Sequence, residues 1–174
     1  MTMGPAAPAA STERRRQVRG LTLIEVVIAL AVLVLLLTLA LPSFDGQLQR
    51  QRLKATAQTL AADLAEARFE AAQRGQPLFI GIHGGADWCW AVTTTSGCGC
   101  QQPQACRLKV VSGAEVPGIS LQPAPEITFD PGGSGLPAVL LLHSERGQTL
   151  RVELSPMGRV RVCAPEPISG LPRC

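Results

Sequence analysis

The sequence predicts an α+β fold in which one long N-terminal helix packs on antiparallel β-sheet. Two patterns predict the helix. A largely apolar run extends from Leu21 to Leu41, and apolar residues then recur at four- and three-residue steps from Leu53 to Ala71. After Pro77 the pattern changes to short alternating stretches separated by turn residues, which favours antiparallel strands over βαβ units.

The apolar run forms the first half of the predicted helix. It is 21 residues long and spans about 30 Å, the thickness of a bilayer core. Residues 21–41 are therefore predicted to be a transmembrane or filament-core segment. The arginine-rich leader, residues 1–20, would stay on the cytoplasmic side, with residues 42–174 forming a periplasmic globular domain. Glu25 lies inside this run, where a charge costs a few kcal/mol, so it indicates a functional site.

The second half of the helix carries one apolar stripe, which we expect to face the core. The stripe consists of Leu53, Ala57, Leu60, Leu64, Ala67 and Ala71. Gly75 and Pro77 end the helix. The predicted strands are Leu78–His83, Trp88–Thr93, Arg107–Val111, Ile119–Gln122, Ile127–Phe129, Ala138–His143, Thr149–Leu154 and Gly158–Cys163.

The net charge of +3 comes from the leader. Residues 1–20 hold four of the 16 basic and one of the 13 acidic side chains, which leaves 12 of each in residues 21–174. Affinity for nucleic acid would therefore have to come from a local patch.

Six cysteines form an even set, as expected where disulfides persist. They are Cys89, Cys98, Cys100, Cys106, Cys163 and Cys174. We expect Cys163 to pair with Cys174, because the proline-rich segment between them would gain from being tied down. The other four lie in one loop or hairpin tip, and their pairing stays open. A four-cysteine zinc site is the alternative for them, although the spacing lacks paired C-x-x-C knuckles.

Apolar and charged residues alternate on both strands of the last predicted hairpin, Thr149–Leu154 and Gly158–Cys163. If the apolar residues face the core, Arg151, Arg159 and Arg161 face outwards. Two residues along one strand span about 7 Å, near the spacing of successive phosphates on a nucleic-acid strand, and guanidinium groups bind phosphate bidentately.

Ser155 to Gly158 suits a type I turn, and Gly158 would let a partner approach the backbone closely. The alternative is a solvated strand face, on which Arg159 and Arg161 serve solubility and protect a sheet edge.

An enzyme is the class with the least support. His83 and His143 are the only histidines, and neither belongs to a metal or nucleophile motif. We expect no catalytic residue, no cofactor and no metal. Trp88 and Trp90 share a strand face. We expect both side chains to pack in the core, and the alternative is that they stack on nucleic-acid bases.

The N-terminal pattern resembles the type IV prepilin signal in the residues Gly20-Leu21-Thr22-Leu23-Ile24-Glu25. The resemblance implies that prepilin peptidase cuts after Gly20 and that the new amine on Leu21 is methylated. Glu25 would then neutralise that amine, or a neighbour's, during filament assembly. The departure is Leu21, where Phe is usual. An ordinary signal anchor is the alternative.

The segments Ile127–Gly133 and Ser155–Val162 are similar to the C-terminal region of the GspH/FimT family of minor pilins and pseudopilins, which implies a type IV pilin-like fold. Gly158-Arg159-Val160-Arg161 matches the Gly-Arg-x-Arg motif of FimT-type minor pilins, implicated in DNA binding during natural transformation. Two hypotheses follow. One is a minor pilin that binds double-stranded DNA without sequence preference through Gly158, Arg159, Arg161 and Arg151. The other is a GspH-like pseudopilin with a structural role in type II secretion. Other pilins, prepilin peptidase and the inner membrane are partners in either case.

Overall fold

The computed structural model describes residues 22–101 and 105–174, without the side chains of residues 39–43. The leader, Gly20 and Leu21 lie outside the described residues, so cleavage after Gly20 and methylation of Leu21 stay predictions. The chain divides into two compact units, residues 1–40 and 41–174.

Helix α1, Leu23–Arg74, begins in the first unit. Its start is capped, because the backbone N–H of Glu25 donates to Thr22 Oγ1 at 3.3 Å. Thr22 and Glu25 have the spacing of a capping box. The large apolar side chains from Leu23 to Leu37 are between 43% and 84% exposed within this unit, a surface typical of contact with lipid or protein.

Across the described residues, 22–101 and 105–174, no helix combines the length and the apolar character needed to cross a membrane.

The described part of the second unit contains eight strands and a short 3₁₀ helix, Gly113–Glu115. The strands are β1 (Leu78–His83), β2 (Cys89–Thr93), β3 (Arg107–Ser112), β4 (Ile119–Leu121), β5 (Ile127–Phe129), β6 (Ala138–Ser144), β7 (Thr149–Leu154) and β8 (Val160–Cys163). All lie within two residues of the predicted bounds. They form two four-stranded antiparallel sheets, a first sheet of order β3-β2-β1-β5 and a second of order β4-β6-β7-β8. The sequence predicted antiparallel pairing but not this division.

The apolar stripe of α1 lies in the core, as predicted. All six of its residues are at most 1% exposed. They belong to one hydrophobic cluster with residues of both sheets, including Ile80 and Phe129 from the first sheet and Leu140 and Val152 from the second. Burying each large side chain contributes about 1.5–3 kcal/mol, so the stripe fixes α1 against both sheets.

The two tryptophans are core residues, so the base-stacking alternative is wrong. Trp88 and Trp90 are fully buried, and their rings stack with centroids 5.2 Å apart. Trp88 Nε1 donates to the carbonyl oxygen of Ile119 at 2.8 Å, and Trp90 Nε1 donates to Asp63 Oδ2 at 2.8 Å. Lys109 Nζ donates to the other oxygen of this buried carboxylate at 2.6 Å. This hydrogen bond to Asp63 raises the pKa of Lys109 above its ordinary value.

Three disulfides crosslink the domain. They join Cys89 to Cys100, Cys98 to Cys106 and Cys163 to Cys174, the last being the expected pair. The first two tie down the β2–β3 loop. This loop lies against β1, since a Cβ built at Gly81 would be 3.1 Å from the carbonyl oxygen of Cys98. With all four of these sulfurs in disulfides, the alternative four-cysteine zinc site does not form.

Candidate nucleic-acid interface

The last hairpin pairs β7 with β8 in a register that sets Glu153 opposite Arg161 and Arg151 opposite Cys163. Buried and accessible residues alternate along β7, with Leu150, Val152 and Leu154 buried as predicted. Arg151 and Glu153 therefore lie together on the outer face of the second sheet, beside Arg161.

The turn between the strands is closed by backbone and side-chain bonds. The N–H of Ser155 donates to the carbonyl oxygen of Arg159 at 2.9 Å, and the N–H of Gly158 donates to the carbonyl oxygen of Ser155 at 2.9 Å. Ser155 Oγ accepts from the N–H of Arg159 at 3.0 Å. Gly158 has φ +69°, a left-handed conformation that favours glycine. The turn thus holds Arg159 at a defined place.

Gly158 is buried against its own chain. A Cβ at this position would lie 2.5 Å from the carbonyl oxygen of Gly133 and 2.6 Å from Arg68 Nε. The close approach that Gly158 permits is therefore intramolecular, which corrects the expectation that it faces a binding partner. Its contribution to the site is the shape of the turn.

Arg68, on α1, is a residue of this region that the sequence analysis missed. Its Nε donates to the carbonyl oxygen of Gly133 at 2.7 Å, and its side chain lies against Gly158. The two segments that carry the family resemblance, Ile127–Gly133 and Ser155–Val162, thus meet at one helix residue. The sequence offered one signal for Arg68, a long cationic side chain directly after Ala67 of the buried stripe.

The arginines of the hairpin differ in their electrostatic surroundings. Arg161 donates to Glu153 Oε2 through Nε and Nη2, both at 2.8 Å. Arg151 Nε lies 3.6 Å from the other oxygen of the same carboxylate. Arg159 is exposed and has no carboxylate partner among the described residues. Two of the three guanidinium groups thus share one carboxylate and the third has none, which leaves the hairpin with a local charge of +2 among the described residues.

Arg159 and Arg161 line one open groove of about 590 Å³. Glu153 is on the same groove, and Pro137 and Val139 form an apolar wall. No aromatic side chain is among the described residues that line it, so the groove offers phosphate-binding groups without a base-stacking platform.

His143, Cys163 and Cys174 have partners within the chain. His143 Nδ1 lies 2.9 Å from Thr149 Oγ1, on the neighbouring strand. Among the described residues, the one group with metal-binding spacing is Glu153, Cys163 and Cys174, and its two sulfurs form a disulfide. It therefore offers no thiolate to a metal.

Residues 56–158, more than half of the chain, match the family described as type II transport protein GspH. This chain belongs to the GspH family. Residues 15–41 of the GspH-family chain match the prokaryotic N-terminal methylation motif. The predicted membership of the GspH/FimT group of minor pilins and pseudopilins is confirmed. No curated protein sequence is significantly similar to the chain.

Solved structures of similar fold include a type IV minor pilin and a minor pseudopilin. The type IV minor pilin FimU of Pseudomonas aeruginosa is 20% identical, with a TM-score of 0.53 over 68% of this chain and 90% of FimU. The minor pseudopilin EpsH of the Vibrio cholerae type 2 secretion system is 22% identical, with a TM-score of 0.51 over 67% of this chain and 99% of EpsH. At these identities the likeness shows the fold alone. The GspH-family chain thus has the predicted α+β type IV pilin-like fold.

Proposed function

We propose that this chain is a minor type IV pilin whose last hairpin binds extracellular double-stranded DNA for uptake in natural transformation. The observation that carries the proposal is the exposed side chain of Arg159, which has no carboxylate partner among the described residues, follows a hydrogen-bonded turn and lines one groove with Arg161. Charge-assisted, bidentate bonds to phosphate are the chemistry that such an arrangement supports.

Contacts to phosphate position a protein on DNA and carry no base information, so binding is without sequence preference. The absence of aromatic residues from the described groove lining favours duplex over single-stranded DNA. A single hairpin of charge +2 makes few phosphate contacts. Affinity then depends on neighbouring subunits of the filament, which raise the effective concentration of each site.

The N-terminal segment anchors the chain in the membrane and mediates its assembly into a filament. Prepilin peptidase removes residues 1–20, and residues 21–41 hold the chain in the inner membrane with the remaining domain in the periplasm, until the subunit enters a filament. The methylation-motif match and the exposed apolar side chains of α1 support this step. Glu25 neutralises an N-terminal amine in the filament core, because two opposite charges in an apolar medium are tolerated only together. The role is structural and not enzymatic.

A GspH-like pseudopilin of a type II secretion system is the second candidate. Glu153 favours it, because this carboxylate neutralises Arg161 and thereby weakens attraction to phosphate. The balance of 12 basic and 12 acidic side chains in residues 21–174 favours it also.

DNA binding separates the two candidates. The chain from Leu21 onward, in a non-ionic detergent, is titrated with a short DNA duplex over a range of salt concentrations. The leader is omitted, since its four arginines would bind DNA themselves. The Arg159→Ala/Arg161→Ala variant is compared with Arg50→Ala/Arg146→Ala, which removes the same charge from exposed positions outside the hairpin.

We expect salt-sensitive binding whose log–log slope falls by about 1 to 2 in the hairpin variant, since Glu153 already weakens the contribution of Arg161, and stays unchanged in the control. Absence of wild-type binding even at low salt would reject the DNA-binding pilin and favour the secretion pseudopilin.

A further inference from the structure

We propose that Arg68 of α1 is a further phosphate-binding residue of the hairpin site. The inference rests on the proposed DNA-binding function and extends its surface from the hairpin onto the helix. Arg68 and Arg159, rather than Arg159 and Arg161, are then the two strongest contacts to the DNA backbone.

The position of Arg68 follows from its contact with the turn. A Cβ at Gly158 would lie 2.6 Å from Arg68 Nε and 2.7 Å from Arg68 Cδ, so the guanidinium lies against the residue that directly precedes Arg159. The bond from Arg68 Nε to the carbonyl oxygen of Gly133, at 2.7 Å, fixes one edge of the guanidinium plane. Such anchoring leaves less side-chain freedom to lose when a ligand binds.

The opposite edge of the guanidinium group is available. Among the described residues, Arg68 has no carboxylate within ion-pair distance, and Nη1 and Nη2 have no hydrogen-bond acceptor. Neither nitrogen is a buried polar atom without a partner among the described residues, so each keeps some contact with solvent although Arg68 as a whole is half-buried. A guanidinium stays protonated at any ordinary pH. Arg68 therefore presents an uncompensated positive charge and a two-nitrogen fork, the geometry that binds phosphate bidentately.

Arg161 is in the opposite situation. Its Nε and Nη2 are both bound to Glu153 at 2.8 Å, so a phosphate has to compete with this carboxylate. Arg151 shares the same carboxylate, and its Nε is buried without a hydrogen-bond partner among the residues that the structure describes. Of the four arginines, Arg68 and Arg159 thus supply most of the field that an approaching duplex meets.

The test uses three single variants of the chain from Leu21 onward, titrated with the same short duplex over a range of salt. Arg68→Gln removes the charge, whereas Arg68→Lys keeps the charge and loses the planar fork. Arg74→Gln is the matched control, because Arg74 lies six residues further along the same helix and is paired with Glu70 at 3.0 Å. Thermal unfolding of each variant confirms that the domain is folded at the temperature of the titration.

We expect Arg68→Gln to reduce the log–log salt slope by about 1, and Arg68→Lys and Arg74→Gln to leave it unchanged. A merely structural Arg68 would give equal affinity losses in Arg68→Gln and Arg68→Lys with the wild-type slope, and that result would overturn the inference alone. A wild-type chain that does not bind the duplex would overturn the proposed function, and the Arg68 contact with it.

Discussion

Glu153 and Arg161 form a two-nitrogen ion pair across the β7–β8 hairpin, with Nε and Nη2 of the arginine both 2.8 Å from Oε2 of the carboxylate. The pair holds Arg161 in one orientation on the outer face of the sheet. It also neutralises one of the charges on which the proposed DNA contact depends. The same carboxylate therefore orders the site and weakens it.

Replacing Glu153 by Gln separates these two effects. The local charge of the hairpin rises by one, and we expect tighter DNA binding with a log–log salt slope steeper by up to about 1. Stability should change by less than about 1 kcal/mol, because the Arg161 side chain is 62% exposed. Duplex titrations over a range of salt measure the first effect, and thermal unfolding the second. Glu70→Gln, which removes a carboxylate paired with Arg74, is the control and should leave binding unchanged.

Gly158→Ala tests the buried turn. The alanine would have to adopt a positive φ, and its Cβ would lie 2.5 Å from the carbonyl oxygen of Gly133. We expect a loss of about 2–4 kcal/mol in the free energy of unfolding. Gly147→Ala is the matched control, since Gly147 has φ +81° but open space around its Cβ position, and should cost only about 1 kcal/mol. Chemical denaturation measures the free energy of unfolding of both variants. Equal losses in the two would contradict the packing of Gly158 against Gly133 and Arg68.

Asp63→Ala tests the buried polar contact between α1 and the first sheet. The change leaves the indole N–H of Trp90 buried without an acceptor and removes the nearer of the two carboxylate partners of Lys109. We expect a loss of about 2–3 kcal/mol in the free energy of unfolding, measured by denaturant titration. Glu66→Ala should cost less than about 0.5 kcal/mol, because Glu66 is 60% exposed and lies 3.7 Å from Lys109. A small effect at Asp63 would mean that another group satisfies the indole.

The same contact makes stability depend on alkaline pH. The hydrogen bond from Lys109 to Asp63 raises the pKa of Lys109 in the folded state above the ordinary value of 10.5. A raised folded-state pKa gives stabilisation that is fully present below pH 10.5 and is lost as pH rises through the folded value. The melting temperature should therefore fall above pH 10.5 in the wild type, and less steeply in Lys109→Met. Parallel pH profiles for the two proteins would show that Lys109 does not contribute.

Local sequence patterns predicted most of the fold. The stripe from Leu53 to Ala71 is buried as its spacing indicated, and the strand bounds follow the alternation along the chain. These features are readable because helix and strand periodicity bring residues of one face together over short distances. The pairing of Cys163 with Cys174 was accessible for a similar reason, since the two are only 11 residues apart.

Contacts between distant segments were not readable in this way. Arg68 meets Gly133 from 65 positions away, and no local pattern marks that encounter. Gly158 is the first residue of the Gly-Arg-x-Arg motif, which is visible in the sequence. Its burial is not, because it depends on the loop at Gly133 and on Arg68 of the helix, which pack against it.

The sequence by itself determined the long helix, the antiparallel strands, the outward arginines of the last hairpin and the prepilin-like N-terminus, because each is encoded in neighbouring residues. Only the tertiary structure decided how the strands divide into two sheets, that Glu153 neutralises Arg161, and that Arg68 packs against Gly158 at the turn. These outcomes depend on which surfaces meet when the core closes. That choice is made by packing the whole domain and not by any one segment.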